Sequence, residues 1–189
     1  MDKIDKKEIF SIPNLMGYFR ILLIPVFVWV YSTANTTADY YIAAGIIGLS
    51  GLTDLFDGKI ARKYNMITEL GKFVDPLADK LTQCALVICL TTRFKLMWVL
   101  VVLFIVKEGF MCITGIVMLK KHNKKLDGAM WFGKVCTATL YIVMFVLLLI
   151  PSISLTVANV FIALCGMIMF VTLLLYVPVF IKMGKDKQE

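Results

Sequence analysis

Four aspartates stand at helical spacing inside a strongly apolar part of the chain, which makes them the first candidates for chemistry. Asp54, Asp57, Asp75 and Asp79 lie in TDLFDGKIARKYNMITELGKFVDPLADK, which has the pattern D-x2-D-G-x2-A-R-x8-G-x3-D-x3-D. A carboxylate within a membrane helix is costly, so an intramembrane acid indicates a functional site by default. Helix packing does not explain four of them.

The spacing of these acids predicts that they meet on two neighbouring helices. Side chains three or four residues apart share one helix face. Two stripes follow from this rule: Asp54, Asp57, Gly58 and Ala61 on one helix, and Gly71, Asp75 and Asp79 on the next. The short connection between the helices predicts antiparallel packing, which allows the two pairs of carboxylates to converge.

Converging carboxylates indicate a metal site. Four close carboxylates repel one another unless cations neutralise them, and hard divalent cations such as Mg²⁺ or Mn²⁺ prefer oxygen ligands. Two divalent ions balance the charges of Asp54, Asp57, Asp75 and Asp79. Pairs of ions about 3.5–4 Å apart stabilise the attacking and leaving oxygens of phosphoryl displacement. The sequence therefore predicts a two-metal centre for phosphoryl transfer.

Small residues and one arginine accompany the acids. Gly58, Ala61 and Gly71 leave room for a bulky nucleotide or for a neighbouring backbone. Taken alone, ligand contact and helix packing explain these three positions equally well. Arg62 follows at the predicted end of the helix, where its guanidinium can hold a phosphate through two parallel hydrogen bonds.

Composition places the chain among integral membrane proteins. Hydrophobic residues make up 60% of its 189 residues, and the mean hydropathy is +0.84, which is far above the usual range of soluble domains. Apolar runs along the whole length predict a single all-α membrane domain over residues 1–189. The six predicted transmembrane helices are 15–34, 40–61, 70–91, 96–119, 129–151 and 155–181. Residues 1–12 mix apolar and charged side chains and predict a juxtamembrane amphipathic helix.

The distribution of positive charge predicts the orientation in the cell membrane. The loops that would face one side carry most of the lysines and arginines, whereas the other side carries only Arg93 and Lys95. Because positive loops favour the cytoplasm, we expect both termini and the aspartates to be cytoplasmic. The net charge of +7 then suits contact with anionic membrane lipids, and no nucleic-acid partner is needed to explain it.

The pattern from Asp54 to Asp79 resembles the signature of the CDP-alcohol phosphotransferase family of integral membrane enzymes. Members often begin with a Pro-Asn segment and an arginine six residues later, here Pro13, Asn14 and Arg20. The resemblance implies a six-helix fold, usually a homodimer, that binds a CDP-linked donor from the cytoplasmic side. For this chain the implied donor is CDP-diacylglycerol.

The resemblance also implies roles for particular residues. Asp54, Asp57 and Asp75 would bind metal, while Asp79 would both approach the metal and act as catalytic base on the acceptor hydroxyl. The residues implied to bind the donor are Asp54, Asp57, Gly58, Ala61, Arg62, Gly71 and Asp75. The implied reaction is attack of an alcohol on the phosphorus next to the diacylglycerol, with release of CMP.

The stretch GKFVDPLADK resembles the branch of the family that includes phosphatidylglycerophosphate and cardiolipin synthases. We therefore expect sn-glycerol 3-phosphate as acceptor, with phosphatidylglycerol as the alternative. A phosphate-bearing acceptor needs nearby cations, and the candidates are Lys107, Lys134 and Arg20. Lys107 lies in the middle of a predicted span, where a lysine is expensive. Lys134 could instead extend to the membrane interface, and Arg20 could pair with the aspartates.

Three departures from the family pattern keep the alternative acceptor open. Members that use glycerol 3-phosphate commonly have Arg-Glu where this chain has Lys107 and Glu108, two adjacent residues that need not be partners. They also tend to have G-K-x-K-T followed three residues later by glutamine. In this chain residues 133–137 are GKVCT, so Cys136 replaces the second lysine, and Leu140 replaces the glutamine. The usual threonine of the first segment is Gly17. A pocket with fewer cations suits phosphatidylglycerol, whose product is cardiolipin.

A divalent cation transporter is the alternative of a different class, since intramembrane acids also line ion pathways. The acids of this chain, however, cluster near one face together with Gly58, Arg62 and Gly71. The last two predicted spans are almost purely apolar. The pattern therefore favours an enzyme over a transporter.

Overall fold

A computed structural model describes residues 10–64, 66, 68–122 and 130–185, and these residues form six α-helices and no strand. The helices are α1 (Ile12–Ser32), α2 (Thr37–Lys63), α3 (Glu69–Leu90), α4 (Met97–His122), α5 (Trp131–Leu149) and α6 (Leu155–Lys185). Each predicted span coincides with one helix, and the ends differ by a few residues. The all-α class is confirmed. The amphipathic helix predicted over residues 1–12 falls almost entirely outside the described residues.

Four of the helices, α1, α4, α5 and α6, are long and apolar enough to cross a membrane over the residues described. The helices α2 and α3 have 27 and 22 residues, so both are long enough to span a bilayer. They are less apolar because they carry the aspartates together with basic residues such as Lys59 and Lys72. The apolar helices indicate a multi-pass membrane protein, and the crossing of all six helices stays a prediction.

The local sequence sets the beginnings of α1 and α2. Pro13 lies in the first turn of α1, where its missing N–H costs no helical hydrogen bond. A capping box begins α2: the Thr36 hydroxyl accepts from the Asp39 N–H, and the Thr36 N–H donates to the Asp39 carboxylate at 2.8 Å. Backbone N–H groups of Asn35 and Thr36 stabilise the charged form of Asp39 and lower its pKa. Because only residues 33–36 separate the helices, α2 turns back and packs along α1.

The chain divides into two compact units, and the first contains α1, α2, α3 and the end of α5. In this unit α1 approaches α3 closely at Gly17, where an added Cβ would lie 2.9 Å from Val74 Cγ1 and 3.4 Å from Asp75 Oδ1. A small residue permits this approach. The departure at Gly17 from the usual threonine therefore has a packing consequence, since α1 lies directly against the helix that carries Asp75.

The second unit contains α4, most of α5 and α6, and α4 packs along α6. Phe132, Tyr176 and Phe180 form a buried aromatic cluster in this unit. The rings of Phe132 and Tyr176 meet edge to face with their centroids 4.7 Å apart, which is a favourable aromatic geometry. Gly133 lies against the same cluster, and an added Cβ there would lie 2.1 Å from Tyr176 Oη. Only glycine fits at this position without a shift of Tyr176.

Gly133→Ala is expected to lower the melting temperature of the protein in detergent. The added methyl group would collide with Tyr176 Oη, and overpacking of this kind typically costs about 1–3 kcal/mol. Adding Tyr176→Phe to this variant should recover part of the loss, because the phenolic oxygen is the atom in closest contact.

Gly115→Ala is the matched control for this prediction. Gly115 lies within α4, and a Cβ there would meet no atom within 4 Å. Alanine should therefore be neutral or stabilise the helix by up to about 1 kcal/mol. Equal melting temperatures for Gly115→Ala and Gly133→Ala would show that the contact with Tyr176 does not constrain α5.

Candidate active site

Four aspartates and one arginine come together in the first unit. Asp54 and Asp57 lie on α2, Asp75 and Asp79 lie on α3, and Arg20 extends from α1. We call the four acids the aspartate tetrad. The four acids belong to one short motif, whereas Arg20 precedes Asp54 by 34 residues. The cluster therefore depends on a long-range contact as well as on the motif.

Arg20 pairs with every member of the aspartate tetrad. Its Nη1 donates a hydrogen bond to Asp54 Oδ1 and another, at 3.0 Å, to Asp79 Oδ1. Its Nη2 donates to Asp75 Oδ1 at 3.2 Å and lies 3.3 Å from Asp57 Oδ2. The Arg20 side chain is 2% exposed, while the side chains of Asp54, Asp75 and Asp79 are each more than 40% exposed. The guanidinium therefore lies at the buried side of the cluster, and the carboxylates of Asp54, Asp75 and Asp79 are accessible from the other side.

The donor atoms of the tetrad fit a hard divalent cation. All four side chains offer carboxylate oxygens, the ligands that Mg²⁺ and Mn²⁺ prefer. Asp57 is almost completely buried, and its Oδ2 accepts no hydrogen bond from any described residue. A buried carboxylate oxygen without a hydrogen bond is expensive unless a cation compensates it. At Asp57 that compensation comes from the nearby guanidinium of Arg20.

The spacing within the tetrad is set by the guanidinium. Among the described residues, no three acidic, thiol or imidazole side chains lie at metal-ligand distances from one point. Carboxylate oxygens of Asp57, Asp75 and Asp79 lie 3.0 to 3.3 Å from the terminal nitrogens of Arg20, whereas Mg²⁺ holds its oxygens at about 2.0–2.1 Å. The tetrad therefore has the ligand types of a metal site, while the distances between its carboxylates are those of acids paired with a guanidinium.

The predicted donor residues lie at different places around the tetrad. Gly58 and Ala61 are half-buried on α2, one helical turn or less from Asp57. Arg62 lies near the end of α2, and its side chain is outside the part of the chain that the structure describes. Contact of Gly58, Ala61, Arg62 or Gly71 with a nucleotide stays a prediction.

Helix packing by itself explains why residue 71 is a glycine. Gly71 is buried at the start of α3, and an added Cβ would lie 2.7 Å from Asn14 Oδ1 and 3.1 Å from Thr68 Oγ1. Thr68 donates to Asn14 Oδ1 at 3.0 Å and accepts from the Gly71 N–H at 2.9 Å. Thr68 thus caps α3 and ties it to α1. The space that a side chain at Gly71 would need is occupied by this polar contact.

Two residues of the site carried no assigned role in the sequence analysis. Thr68 could have been found, because a threonine directly before a helix is a preferred N-cap residue, and α3 begins at Glu69. Gln83 lies one turn beyond Asp79 on α3 and is 2% exposed. Its Nε2 has no hydrogen-bond partner among the described residues. Spacing alone extends the stripe of Asp75 and Asp79 to Gln83, but only the structure reveals that this amide is buried.

The candidate acceptor residues Lys107 and Lys134 belong to the second unit. Lys107 is buried on α4, and its Nζ lies 2.6 Å from Glu108 Oε1. Adjacent helical positions point about 100° apart, so this pairing was not required by the sequence and depends on the flexible lysine chain. Lys134 is exposed on α5. Binding of an acceptor by Lys107, Lys134 or Arg20 stays a prediction.

Paired acids on two consecutive helices, in the order and spacing of the signature, are the arrangement on which the family resemblance depends. The sequence model of the CDP-alcohol phosphatidyltransferase family matches residues 10–178. The chain belongs to this family. The predicted resemblance is confirmed, and it covers the helices from α1 to most of α6.

Relatives of the chain carry a more specific name. CDP-diacylglycerol–glycerol-3-phosphate 3-phosphatidyltransferases from Escherichia coli (strain K12), Shigella flexneri serotype 5b (strain 8401) and Shigella sonnei (strain Ss046) are each 32% identical to it. Each similarity extends over 146 residues, which are 76% of this chain and 80% of the relative. Members of this phosphatidyltransferase family generally use divalent metal ions.

Gly71→Ala is expected to destabilise this phosphatidyltransferase even without substrate. The new methyl group would displace Asn14 Oδ1 or Thr68 Oγ1 from the contact between α1 and α3. A loss of about 1–3 kcal/mol is expected for such overpacking, and thermal unfolding in detergent measures it. Gly48→Ala on α2 is the control, because a Cβ there would meet nothing within 4 Å. If Gly71→Ala melts like wild type but binds CDP poorly, the glycine serves the donor and not the packing.

Proposed function

We propose that this protein transfers a phosphatidyl group from CDP-diacylglycerol to sn-glycerol 3-phosphate, which yields phosphatidylglycerophosphate and CMP. Membership of the phosphatidyltransferase family and the names of the relatives support the reaction class and the substrates. The observation that carries the proposal is the convergence of Asp54, Asp57, Asp75 and Asp79 on the guanidinium of Arg20 in a chain of this family.

The aspartate tetrad would hold the metal ions, which we propose to be two Mg²⁺ or Mn²⁺ ions. When bound, they would supply neutralisation of the donor diphosphate and stabilisation of the attacking and leaving oxygens. Asp54, Asp57 and Asp75 are the proposed ligands, and Asp79 is proposed both to approach the metal and to act as base. The open side of the tetrad, where Asp79 is 41% exposed, is the side from which substrates would enter.

Proton transfer is the step assigned to the chain itself. The acceptor hydroxyl oxygen forms a bond to the phosphorus next to the diacylglycerol, and the bond from that phosphorus to the CMP oxygen breaks. The hydroxyl proton passes to the Asp79 carboxylate. Gly58, Ala61, Arg62 and Gly71, together with Asp54, Asp57 and Asp75, are proposed to contact the cytidine diphosphate. The reaction consumes one alcohol and releases one CMP, with no net oxidation.

Asp79→Asn is expected to abolish turnover while leaving donor binding nearly intact. The amide keeps the shape of the carboxylate but accepts no proton, and loss of a general base typically costs about 10²–10⁴-fold in rate. CMP release in mixed micelles measures turnover, and equilibrium binding of labelled CDP with Mn²⁺ measures the nucleotide site. Asp39→Asn is the matched control, since Asp39 lies in the capping box of α2 and outside the tetrad. Near-normal turnover by Asp79→Asn would remove Asp79 from the role of base.

One observation favours a second candidate for the acceptor. Lys107 is buried and paired with Glu108 at 2.6 Å, so part of its charge is already compensated. Together with Cys136 and Leu140 in place of the usual lysine and glutamine, this pairing leaves fewer cations for a free phosphate. Phosphatidylglycerol is therefore the alternative acceptor, and the product would then be cardiolipin. CMP release with each acceptor in separate reactions distinguishes the two activities.

Lys107→Ala is expected to raise the KM for glycerol 3-phosphate and to change the KM for CDP-diacylglycerol little. A hydrogen bond to a charged group contributes about 1.5–3 kcal/mol, so the rise should be roughly 10-fold or more. Lys107→Arg should restore the low KM, because the charge returns together with a phosphate-binding fork. If both substrates show the same rise in KM, Lys107 stabilises α4 through Glu108 and does not bind the acceptor.

The orientation and assembly of the enzyme are also proposed here. The basic loops favour a position in the cell membrane with both termini and the tetrad on the cytoplasmic side. CDP-diacylglycerol and anionic lipids would be reached from that leaflet. A homodimer is proposed from the family resemblance.

A further inference from the structure

We infer that Arg20 is an internal counter-cation of the aspartate tetrad, and that divalent cations displace its guanidinium when they bind. This inference depends on the proposed function in one respect, namely that the tetrad binds divalent cations. It concerns a residue of α1, outside the motif that supplies the acids. In this view the site exchanges one protein cation for metal ions.

The first support is the number of partners that Arg20 has. Nη1 contacts Asp54 and Asp79, and Nη2 contacts Asp75 and Asp57. Each terminal nitrogen therefore bridges one acid from α2 and one from α3. A planar guanidinium with a fork of donors can make such contacts, whereas the single nitrogen of a lysine cannot reach all four in this way. The fork holds the two acid-bearing helices together despite the repulsion between their carboxylates.

The second support is that guanidinium and metal need the same space. Carboxylate oxygens of Asp57, Asp75 and Asp79 lie 3.0 to 3.3 Å from the terminal nitrogens of Arg20, and no three described acids are spaced for a metal ion. A cation that draws the carboxylates to about 2.0–2.2 Å must take the place that the guanidinium holds. Two close positive charges would also repel each other.

The third support is the charge balance. Arg20 compensates one of the four negative charges, which leaves a net charge that attracts divalent cations. Two divalent ions compensate all four charges, and the carboxylates then no longer attract the guanidinium. Its Nε, moreover, has no hydrogen-bond partner among the described residues although it is buried. Among the described residues, the hydrogen bonds and ion pairs of the guanidinium are therefore those with the tetrad.

The displaced guanidinium would remain close to an anionic ligand. A guanidinium fork matches two oxygens of a phosphate, and such pairs are short and charge-assisted. The sequence left two roles open for Arg20, as a partner of the aspartates and as a cation that binds substrate. The exchange accounts for both roles. The first would describe the metal-free enzyme, and the second the enzyme with metal bound.

The test is metal binding by the full-length protein in detergent, without substrate. Wild type, Arg20→Gln and Arg20→Lys are titrated with Mn²⁺, and binding is followed by the electron paramagnetic resonance signal of the free ion. Thermal unfolding is measured in parallel with a chelator and with saturating Mn²⁺. Arg93→Gln is the matched control, since Arg93 lies in the loop before α4 beside Phe94.

Displacement predicts opposite changes in the two measurements. With chelator, Arg20→Gln should unfold at a lower temperature than wild type, because four carboxylates then face one another without a cation. Its affinity for Mn²⁺ should be at least about 10-fold higher, since the metal no longer competes with the charge-assisted hydrogen bonds of the guanidinium. Mn²⁺ should therefore raise its melting temperature by more than that of wild type. Arg20→Lys should bind Mn²⁺ with intermediate affinity, and Arg93→Gln should match wild type.

Other results would overturn the inference. Equal Mn²⁺ affinity in wild type and Arg20→Gln means that the guanidinium and the metal do not compete. Wild-type affinity in Arg20→Lys, with tighter binding in Arg20→Gln, means that general charge repulsion acts without displacement of a fork. If Arg20→Gln fails to fold with chelator but folds with Mn²⁺, the exchange is supported. If it folds in neither condition, the Mn²⁺ affinity of Arg20→Lys relative to wild type decides whether the guanidinium and the metal compete. Wild type that binds no Mn²⁺ and releases no CMP contradicts the proposed function itself, whereas CMP release with equal affinities contradicts only the role of Arg20.

Discussion

The structure around the site depends on the compensation of four negative charges in an apolar helical protein. Asp54, Asp57, Asp75 and Asp79 lie too close together to be stable as unpaired carboxylates, and Arg20 supplies the cation that the described chain places among them. Because the acids belong to α2 and α3 and the arginine to α1, this one cation links three helices. The same negative charge that makes the cluster costly without a cation gives it the donor set of a divalent-metal site.

The position of the cluster depends on how closely α1 approaches α3. Gly17 allows the backbone of α1 to lie against Val74, and Gly71 leaves the space that Asn14 and Thr68 fill. A side chain at either glycine would push the helices apart or break the cap of α3. Gly71 of the family motif and Gly17, which stands in place of the usual threonine, therefore both have a role in helix packing, whether or not Gly71 also contacts a nucleotide. Gly133 has the same role against Tyr176 in the second unit.

Family membership places the chain among membrane-bound phosphatidyltransferases, and the acids of the site agree with the use of divalent ions by that family. The part of the sequence that differs most from the expected pattern lies elsewhere, at Lys107, Cys136 and Leu140. Burial of Lys107 beside Glu108 gives this difference a physical form, because an internally paired lysine is a weaker anion site than an arginine fork. Under the role proposed for Lys107, this difference would act on the binding of the acceptor.

The sequence by itself determined the helical class, the approximate ends of six helices, the acid pattern and the family. These properties depend on apolar run length, helical period and charge, which are local and can be read along the chain. It also suggested two roles for Arg20, and left Thr68 and Gln83 without any. Only the tertiary structure decided that Arg20 reaches acids 34 and 59 positions away, that the room at Gly71 is taken by Asn14, and that Lys107 turns to Glu108. Such contacts are fixed by how closely helices pack and by which rotamer a long side chain adopts, and neither is encoded in the spacing of residues along one helix.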